Sequence, residues 1–134
     1  MTNNLQKITM PGDPRDIPGW ETLDLLRQMM DKNDFVGLPA YVYRLADGRN
    51  AGIAVVDPDG YPLFAKLWCL EVSPKFRNRG IGSLLLQEVL HEYDEVKLVA
   101  MRPAFGFYKR NGFVFEYGEE PDPKSNVGYM VNRA

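Results

Sequence analysis

The 134-residue sequence has one cysteine, one histidine and no long apolar run. A single cysteine, Cys69, cannot form an internal disulfide, which fits a reducing compartment. No apolar stretch approaches the ~20 residues that a membrane-spanning helix needs. The polar first residues also lack the apolar centre of a signal peptide. We therefore expect a soluble cytoplasmic protein that does not bind a membrane.

The sequence also lacks an excess of positive charge. Its formal net charge is −2 and its isoelectric point is near 5.4. No overall cationic field is present to attract a polyanion, so nucleic acid is not an expected partner. The one histidine, His91, stands beside Glu92 late in a predicted helix, where a surface position is favoured. No metal-ligand spacing surrounds Cys69, and we expect no metal.

Length and composition suit one domain over residues 1–134, with a partly irregular N-terminal segment over residues 1–19. Period-two apolar patterns and turn residues predict strands at Leu5–Met10, Tyr41–Ala46, Ala51–Val56, Leu63–Val72, Val96–Met101, Phe113–Tyr117 and Val127–Val131. One-sided apolar faces predict helices at Trp20–Lys32, Ile81–Tyr93 and Ala104–Arg110. This order predicts an α/β fold, with a mixed sheet and helices on its faces.

Two finer predictions concern single strands. Asp57-Pro-Asp-Gly60 has the residues of a turn, so the chain is expected to reverse there. Val96–Met101 shows no polar alternation after Lys97, which predicts a strand covered on both faces.

The segment after the predicted fourth strand has the residues of an anion site. Arg77 and Arg79 precede Gly80 and Gly82, and an apolar helix begins at once. The N–H groups of a first helical turn lack internal partners and carry partial positive charge, so they bind phosphate oxygens. Glycine removes the side chains that would hold a diphosphate away from them. A solvated basic turn before an ordinary helix is the alternative interpretation.

Two other phosphate motifs fit this segment poorly. A Rossmann fingerprint needs a third glycine where Leu85 stands. A P-loop needs a lysine after its last glycine, and Ser83 follows Gly82 here.

Two blocks of the sequence resemble the GNAT superfamily of acetyltransferases. The first, Arg77-x-x-Gly80-x-Gly82 after Val72-Ser-Pro74, looks like the pyrophosphate-binding segment of that family. The second, Ala104–Phe113, is similar to the family's Ala-x-x-Phe-Tyr-x-x-x-Gly-Phe helix. The two blocks stand in the family's order, separated by a predicted helix and a predicted strand. Together they span Leu63–Tyr117.

The resemblance implies a single-domain α/β fold with a mixed, splayed β-sheet flanked by helices. It implies an acyltransferase that moves acetyl from acetyl-CoA, as co-substrate, directly to a primary amine in a ternary complex. In this family the strand before the glycine loop diverges from the next strand, and the pantetheine arm lies in the gap. The implied cofactor-binding residues are Leu70, Val72, Arg77, Asn78, Arg79, Gly80, Ile81, Gly82 and Ser83. The Leu70 N–H would face the thioester oxygen as an oxyanion hole.

The resemblance also implies catalytic residues. Tyr108 would protonate the departing thiolate, and the alternative is a core tyrosine whose hydroxyl meets a backbone carbonyl. Glu71 is the candidate general base, although alternation along a strand points it away from its neighbour Leu70. The alternative for Glu71 is an ion pair with Lys97 or Lys66. A water chain would then remove the amine proton.

The sequence leaves the acceptor and the partners open. The acidic residues Glu116, Glu119, Glu120 and Asp122 form either a solvated loop or a surface that attracts a cationic amine. Such an acceptor is a small-molecule amine or a lysine side chain. Met101 stands where many family members have an Asn that supports the cofactor. A non-catalytic acetyl-CoA-binding regulator that acts through a protein partner is the alternative function, and either a monomer or a homodimer is expected.

Overall fold

The computed structural model describes residues 4–60 and 64–132. Within these residues the strands are β1 Leu5–Thr9, β2 Pro39–Arg44, β3 Asn50–Gly60, β4 Phe64–Val72, β5 Val96–Met101, β6 Phe113–Phe115 and β7 Val127–Asn132. The helices are α1 Asp24–Lys32, α2 Ile81–Glu92 and α3 Phe105–Arg110. The predicted order of elements is confirmed. None of these helices is long and apolar enough to cross a membrane.

All seven strands form one mixed sheet in the order β1-β2-β3-β4-β5-β7-β6. Strands β4 and β5 pair in parallel, whereas the other neighbours pair antiparallel. Helices α2 and α3 pack on one face through Leu85, Leu86 and Phe105. Helix α1 packs on the other face through Leu26. The predicted α/β fold with helices on both faces is therefore confirmed.

A β-bulge in β4 decides which side chains face which helices. Val55 and Val56 of β3 pair with Cys69 and Leu67, so Trp68 is an extra residue in β4. A bulge of this kind changes the facing of the residues that follow it. Leu67 packs in the core beneath α2, whereas Cys69 packs in the core beneath α1. Leu70, which follows the bulge, accordingly packs on the α2 side.

Strands β4 and β5 separate after a short paired segment. Their parallel pairing ends at Leu67 and Leu98. Beyond that point β4 continues to Val72 paired only with β3, and β5 continues to Met101 paired only with β7. The result is a wedge-shaped gap inside the sheet, as the resemblance implies for a splayed sheet.

Several element boundaries differ from the prediction. Residues 57–60 belong to β3, so the turn predicted at Asp57–Gly60 is wrong. Because the Asp57 carboxylate accepts the N–H of Asp59 at 3.0 Å, the turn chemistry produces a local irregularity in the strand. The predicted strand start at Leu63 lies outside the described residues. Before α1, Trp20–Thr22 forms a separate 3₁₀ turn, because Leu23 has non-helical dihedral angles.

Burial of β5 on both faces is also wrong. Leu98 and Ala100 are buried, but Val99 and Met101 are exposed. Helix α1 packs across β4, and no described helix lies over the same face of β5. An apolar run shows that burial is possible, but whether a helix covers it is decided by the rest of the fold.

Candidate active site

A cleft of about 640 Å³ lies at the gap between β4 and β5. Its walls are the end of β4, the glycine loop (residues 77–80), the first turn of α2 and the segment 103–110, which includes α3. Every predicted cofactor-binding residue except Arg79 lines this cleft. Arg79 instead places its guanidinium over the ring of Phe76, 5.5 Å from the centroid. The fold therefore assembles the end of β4, most of the glycine loop and the start of α2 into one concave surface.

The edge of β4 that borders the cleft presents its backbone groups to the gap. The Ser73 N–H donates to the Ala51 carbonyl at 2.8 Å, so this amide faces β3. Backbone groups alternate along a strand, so those of Val72 and Leu70 face the gap. The Val72 carbonyl accepts a hydrogen bond from Nε of Arg77 at 3.0 Å, which agrees with this direction. An extended ligand could add to this edge as a further strand.

The start of α2 also presents free N–H groups to the cleft. The helix has no side-chain cap and no acidic residue in its first turn. Asn78 and Gly80 have φ values of 64° and 81°, which curl the loop so that successive N–H groups converge. Such concave backbone arrangements bind anions, and the helix dipole adds partial positive charge.

The absence of a side chain at Gly82 lets α3 pack closely against α2, and it also keeps the cleft open to a ligand. A Cβ at this position would lie 3.3 Å from Cζ of Phe107 and 3.7 Å from Cγ2 of Val72. Phe107 is on α3 and lines the cleft, so the glycine lets α3 approach the first turn of α2. A larger residue here would push α3 away or project into the cleft.

Arg110 lines the cleft and was missed by the sequence analysis. It adds a second cationic side chain to the one that Arg77 supplies. Residues three apart on a helix share a face, and Phe107 precedes Arg110 by three positions. Helical spacing from the aromatic residues of α3 is the signal that could have found it.

Tyr108 is buried behind the cleft in α3. Its ring meets Phe107 and Phe113 edge-on, with centroids 5.1 and 5.6 Å away. Burial raises the pKa of its phenol well above 10, and the interaction with Cys69 adds to the shift. The hydroxyl therefore keeps its proton at neutral pH.

Cys69 packs in the core with α1. Burial raises the pKa of its thiol far above 9, and the Glu71 charge acts in the same direction. A thiol held neutral is a poor nucleophile.

Glu71 is buried at the cleft, with its carboxylate against the start of α1. The carboxylate accepts the Leu26 N–H at 2.8 Å and the Leu25 N–H at 3.0 Å. Because Leu23 offers no side-chain cap to this helix, Glu71 serves as its cap from the neighbouring strand. Glu71 and Leu25 both line the cleft.

The alternative ion pair predicted for Glu71 is wrong. Lys97 donates instead to Glu116 at 2.6 Å. The Lys66 ammonium lies 3.6 Å from the centroid of the Trp68 ring, a cation–π contact. The bulge at Trp68 places Glu71 on the α1 side of β4, and Lys66 lies five residues earlier in the same strand.

The acidic loop is mostly engaged in its own contacts. Glu116 pairs with Lys97, and Glu120 lies 3.7 Å from Lys109. The Asp122 carboxylate accepts the Lys124 N–H at 2.8 Å within the loop. None of the predicted acidic residues lines the cleft. His91 is exposed on α2, at the surface position that the sequence analysis favours.

Residues 39–115 match the family described as an acetyltransferase (GNAT) domain. No curated protein sequence matches the chain. Many solved structures share its fold. One is the Naa20 protein of Chaetomium thermophilum in complex with a bisubstrate analogue. It has 20% identity and a TM-score of 0.63, with 96% of this chain and 85% of that chain covered.

Two further structures are similar over a shorter range. Nourseothricin acetyltransferase has 23% identity and a TM-score of 0.55, with 69% of this chain and 63% of that one covered. A Bacillus anthracis protein described as a streptothricin acetyltransferase, in complex with acetyl coenzyme A, has 18% identity and a TM-score of 0.56. That match covers 70% of this chain and 60% of that one. This chain thus spans less than two thirds of both.

At these identities the structural similarity concerns the fold. The match over residues 39–115 covers more than half of the sequence and includes the glycine loop, α2, β5 and α3. The chain belongs to the GNAT acetyltransferase family.

Proposed function

We propose that this protein transfers acetyl from acetyl-CoA to a primary amine, directly and within a ternary complex. The observation that carries the proposal is the unpaired edge of β4, which leads to the uncapped start of α2 along one cleft. An extended arm that ends in a diphosphate is complementary to both features. Acetyl-CoA has such an arm, and the Bacillus anthracis neighbour was solved with acetyl coenzyme A.

In the proposed complex the pantetheine arm pairs with the main chain of Leu70 and Val72. The diphosphate accepts hydrogen bonds from the N–H groups of residues 78–83, and Arg77 and Arg110 add positive charge. The Arg77 side chain must then release the Val72 carbonyl, which it occupies in this structure. Arg79 would act at the outer rim of the loop.

Transfer begins when the neutral amine attacks the thioester carbon. The Leu70 N–H stabilises the negative charge that develops on the carbonyl oxygen. The carbon–sulfur bond then breaks, and Tyr108 gives its proton to the departing thiolate. Because burial raises the pKa of Tyr108, the phenol keeps this proton at neutral pH and donates it as the carbon–sulfur bond breaks. The buried, neutral Cys69 takes no part, so no acetyl-enzyme forms.

Glu71 is the proposed acceptor of the amine proton. It lines the cleft, and each carboxylate oxygen keeps a lone pair beyond the one used by α1. The two N–H groups hold the carboxylate in one orientation, which favours a fixed approach of the amine.

A buried single cysteine also fits action in the reducing cytoplasm.

A regulator that binds acetyl-CoA without turnover is the second candidate. The observation that favours it is the engagement of both Glu71 oxygens by α1, since a dedicated cap need not act as a base. Met101 in place of the family's Asn favours it as well.

Release of free coenzyme A thiol over a panel of primary amines separates the two functions. The enzyme gives amine-dependent thiol release that saturates with acetyl-CoA and is lost in Gly82→Glu. Gln87→Glu adds the same charge at an exposed position of α2 and should behave like the wild type. Acetyl-CoA binding with no release for any amine would support the regulator.

A further inference from the structure

An exposed apolar strip lies on the side of the sheet opposite α2 and α3. Val99 of β5 pairs directly with Tyr129 of β7, and Met101 pairs with Val127. Val99, Met101 and Tyr129 are 46%, 57% and 53% exposed. Three large apolar side chains thus stand open to solvent as one contiguous group. Contiguous exposed apolar groups are typical of binding surfaces, whereas singly scattered apolar residues are not.

The strip lies on the α1 face of the sheet. Leu98 and Ala100 pack in the core with α2 and α3. Side chains alternate along a strand, so Val99 and Met101 point to the other face. In the described part of the chain, α1 contacts β4 and leaves this part of β5 and β7 uncovered.

The strip ends at Met101, whereas its three side chains are not among those that line the cleft. Met101 ends β5 at the open side of the gap, at the level of the unpaired part of β4. Across the gap, Leu25 of α1 lines the cleft and is 42% exposed. An amine that enters from this face would have Leu25 on one side of the gap and Met101 on the other.

The charged groups along this route are one carboxylate and one ion pair. Glu71 is the acidic residue among those that line the cleft. Lys97, at the far end of the strip, is neutralised by Glu116 at 2.6 Å. The acidic loop makes its own contacts. The route thus offers one carboxylate for one ammonium group, and apolar surface for whatever is attached to it.

We propose that the acceptor is a primary amine with an apolar body, which packs on Leu25, Met101 and Tyr129 while its nitrogen lies at Glu71. The inference rests on the proposed function and names its substrate class. A polyamine or an aminoglycoside fits poorly, because its further cations would lose water against an apolar wall without a partner. An aliphatic or aromatic body gains free energy from the same contact.

Two matched amines test this preference. Hexylamine and 1,6-diaminohexane have the same carbon chain, but the second carries another cation. We expect kcat/KM to favour hexylamine by about tenfold or more, because the second ammonium of 1,6-diaminohexane would lose water against the apolar wall without a partner. Met101→Ser and Tyr129→Ser should each lower kcat/KM for hexylamine several-fold, and Tyr129→Ser should leave the KM for acetyl-CoA unchanged. Val36→Ser changes an exposed apolar residue elsewhere and serves as the control.

Binding without turnover separates this inference from the proposed function. With coenzyme A bound, hexylamine should raise the melting temperature more than 1,6-diaminohexane does, and Met101→Ser should reduce the difference. This result supports the acceptor surface even if no amine is acetylated. Equal effects of the two amines in both assays would overturn it. A dimer in sedimentation that Tyr129→Ser dissociates, with amine preference unchanged, would assign the strip to a second copy instead.

Discussion

The Glu71 carboxylate lies 2.8 Å from the backbone nitrogen of Leu26, a hydrogen bond between residues 45 positions apart in the sequence. It joins the end of β4 to the first turn of α1, a helix that has no side-chain cap of its own. Because Leu25 and Glu71 both line the cleft, this bond also fixes the wall of the proposed acceptor route. A single carboxylate thus contributes to the fold and to the shape of the site.

Glu71→Ala should lower the free energy of unfolding by about 1–3 kcal/mol. The substitution leaves two N–H groups at the start of α1 without their acceptor, and a buried unsatisfied donor carries a cost of this size. Glu71→Gln should cost less, since its carbonyl oxygen can accept one of the two bonds. Urea denaturation measures the difference, with the exposed Glu119→Ala as control.

The same variants distinguish a base from a cap. If Glu71 receives the amine proton, Glu71→Gln should lower kcat strongly and change the pH dependence of kcat/KM. If it acts only as a cap, activity should fall in step with stability and the pH profile should keep its shape.

Tyr108→Phe should lower kcat by roughly 10²-fold while acetyl-CoA affinity stays close to the wild-type value. The ring remains packed against Phe107 and Phe113, so only the hydroxyl is lost. Steady-state kinetics with acetyl-CoA titrations measure both constants. Undiminished turnover would show that the tyrosine is structural and that water protonates the thiolate.

Alkaline pH should destabilise the fold through Cys69 and Tyr108. Burial raises the pKa of the Cys69 thiol from 9.0 and of the Tyr108 phenol from 10.0, so both groups keep their protons in the folded state. Above these values the unfolded chain binds fewer protons than the folded one, and the free energy of unfolding falls as pH rises. Each group contributes a slope of up to about 1.4 kcal/mol per pH unit.

Denaturation between pH 8 and 11 measures that slope. Cys69→Ala should flatten the part that begins near pH 9, and Tyr108→Phe the part that begins near pH 10. The slope is compared rather than the absolute stability, because either change also alters core packing. An unchanged slope in both variants would show that neither group is buried in its neutral form.

Gly82→Glu should abolish the rise in melting temperature that acetyl-CoA gives the wild type. The new side chain would meet the Phe107 ring and place negative charge at the start of α2. Mass action stabilises only a fold that binds the ligand, so the loss is read directly from thermal unfolding. A full shift in Gly82→Glu, equal to that in Gln87→Glu, would place the cofactor outside this cleft.

The sequence was informative where the determinants of structure are local. Apolar periodicity predicted α2, and its bounds are accurate to one residue. The glycine loop and the Ala104–Phe113 block indicated the family, because both depend on short-range backbone geometry. The turn predicted at Asp57–Gly60 failed for a related reason, since local turn chemistry was outweighed by pairing with β4.

The sequence by itself therefore determined the order of elements and the family, and it predicted an anion-binding loop. Tertiary structure decided that Glu71 caps α1, that Arg110 enters the cleft and that one face of β5 stays open. These features depend on contacts between residues far apart in the chain. The bulge at Trp68 alone changes which face Cys69 and Glu71 occupy, and strand alternation in the sequence contains no sign of it.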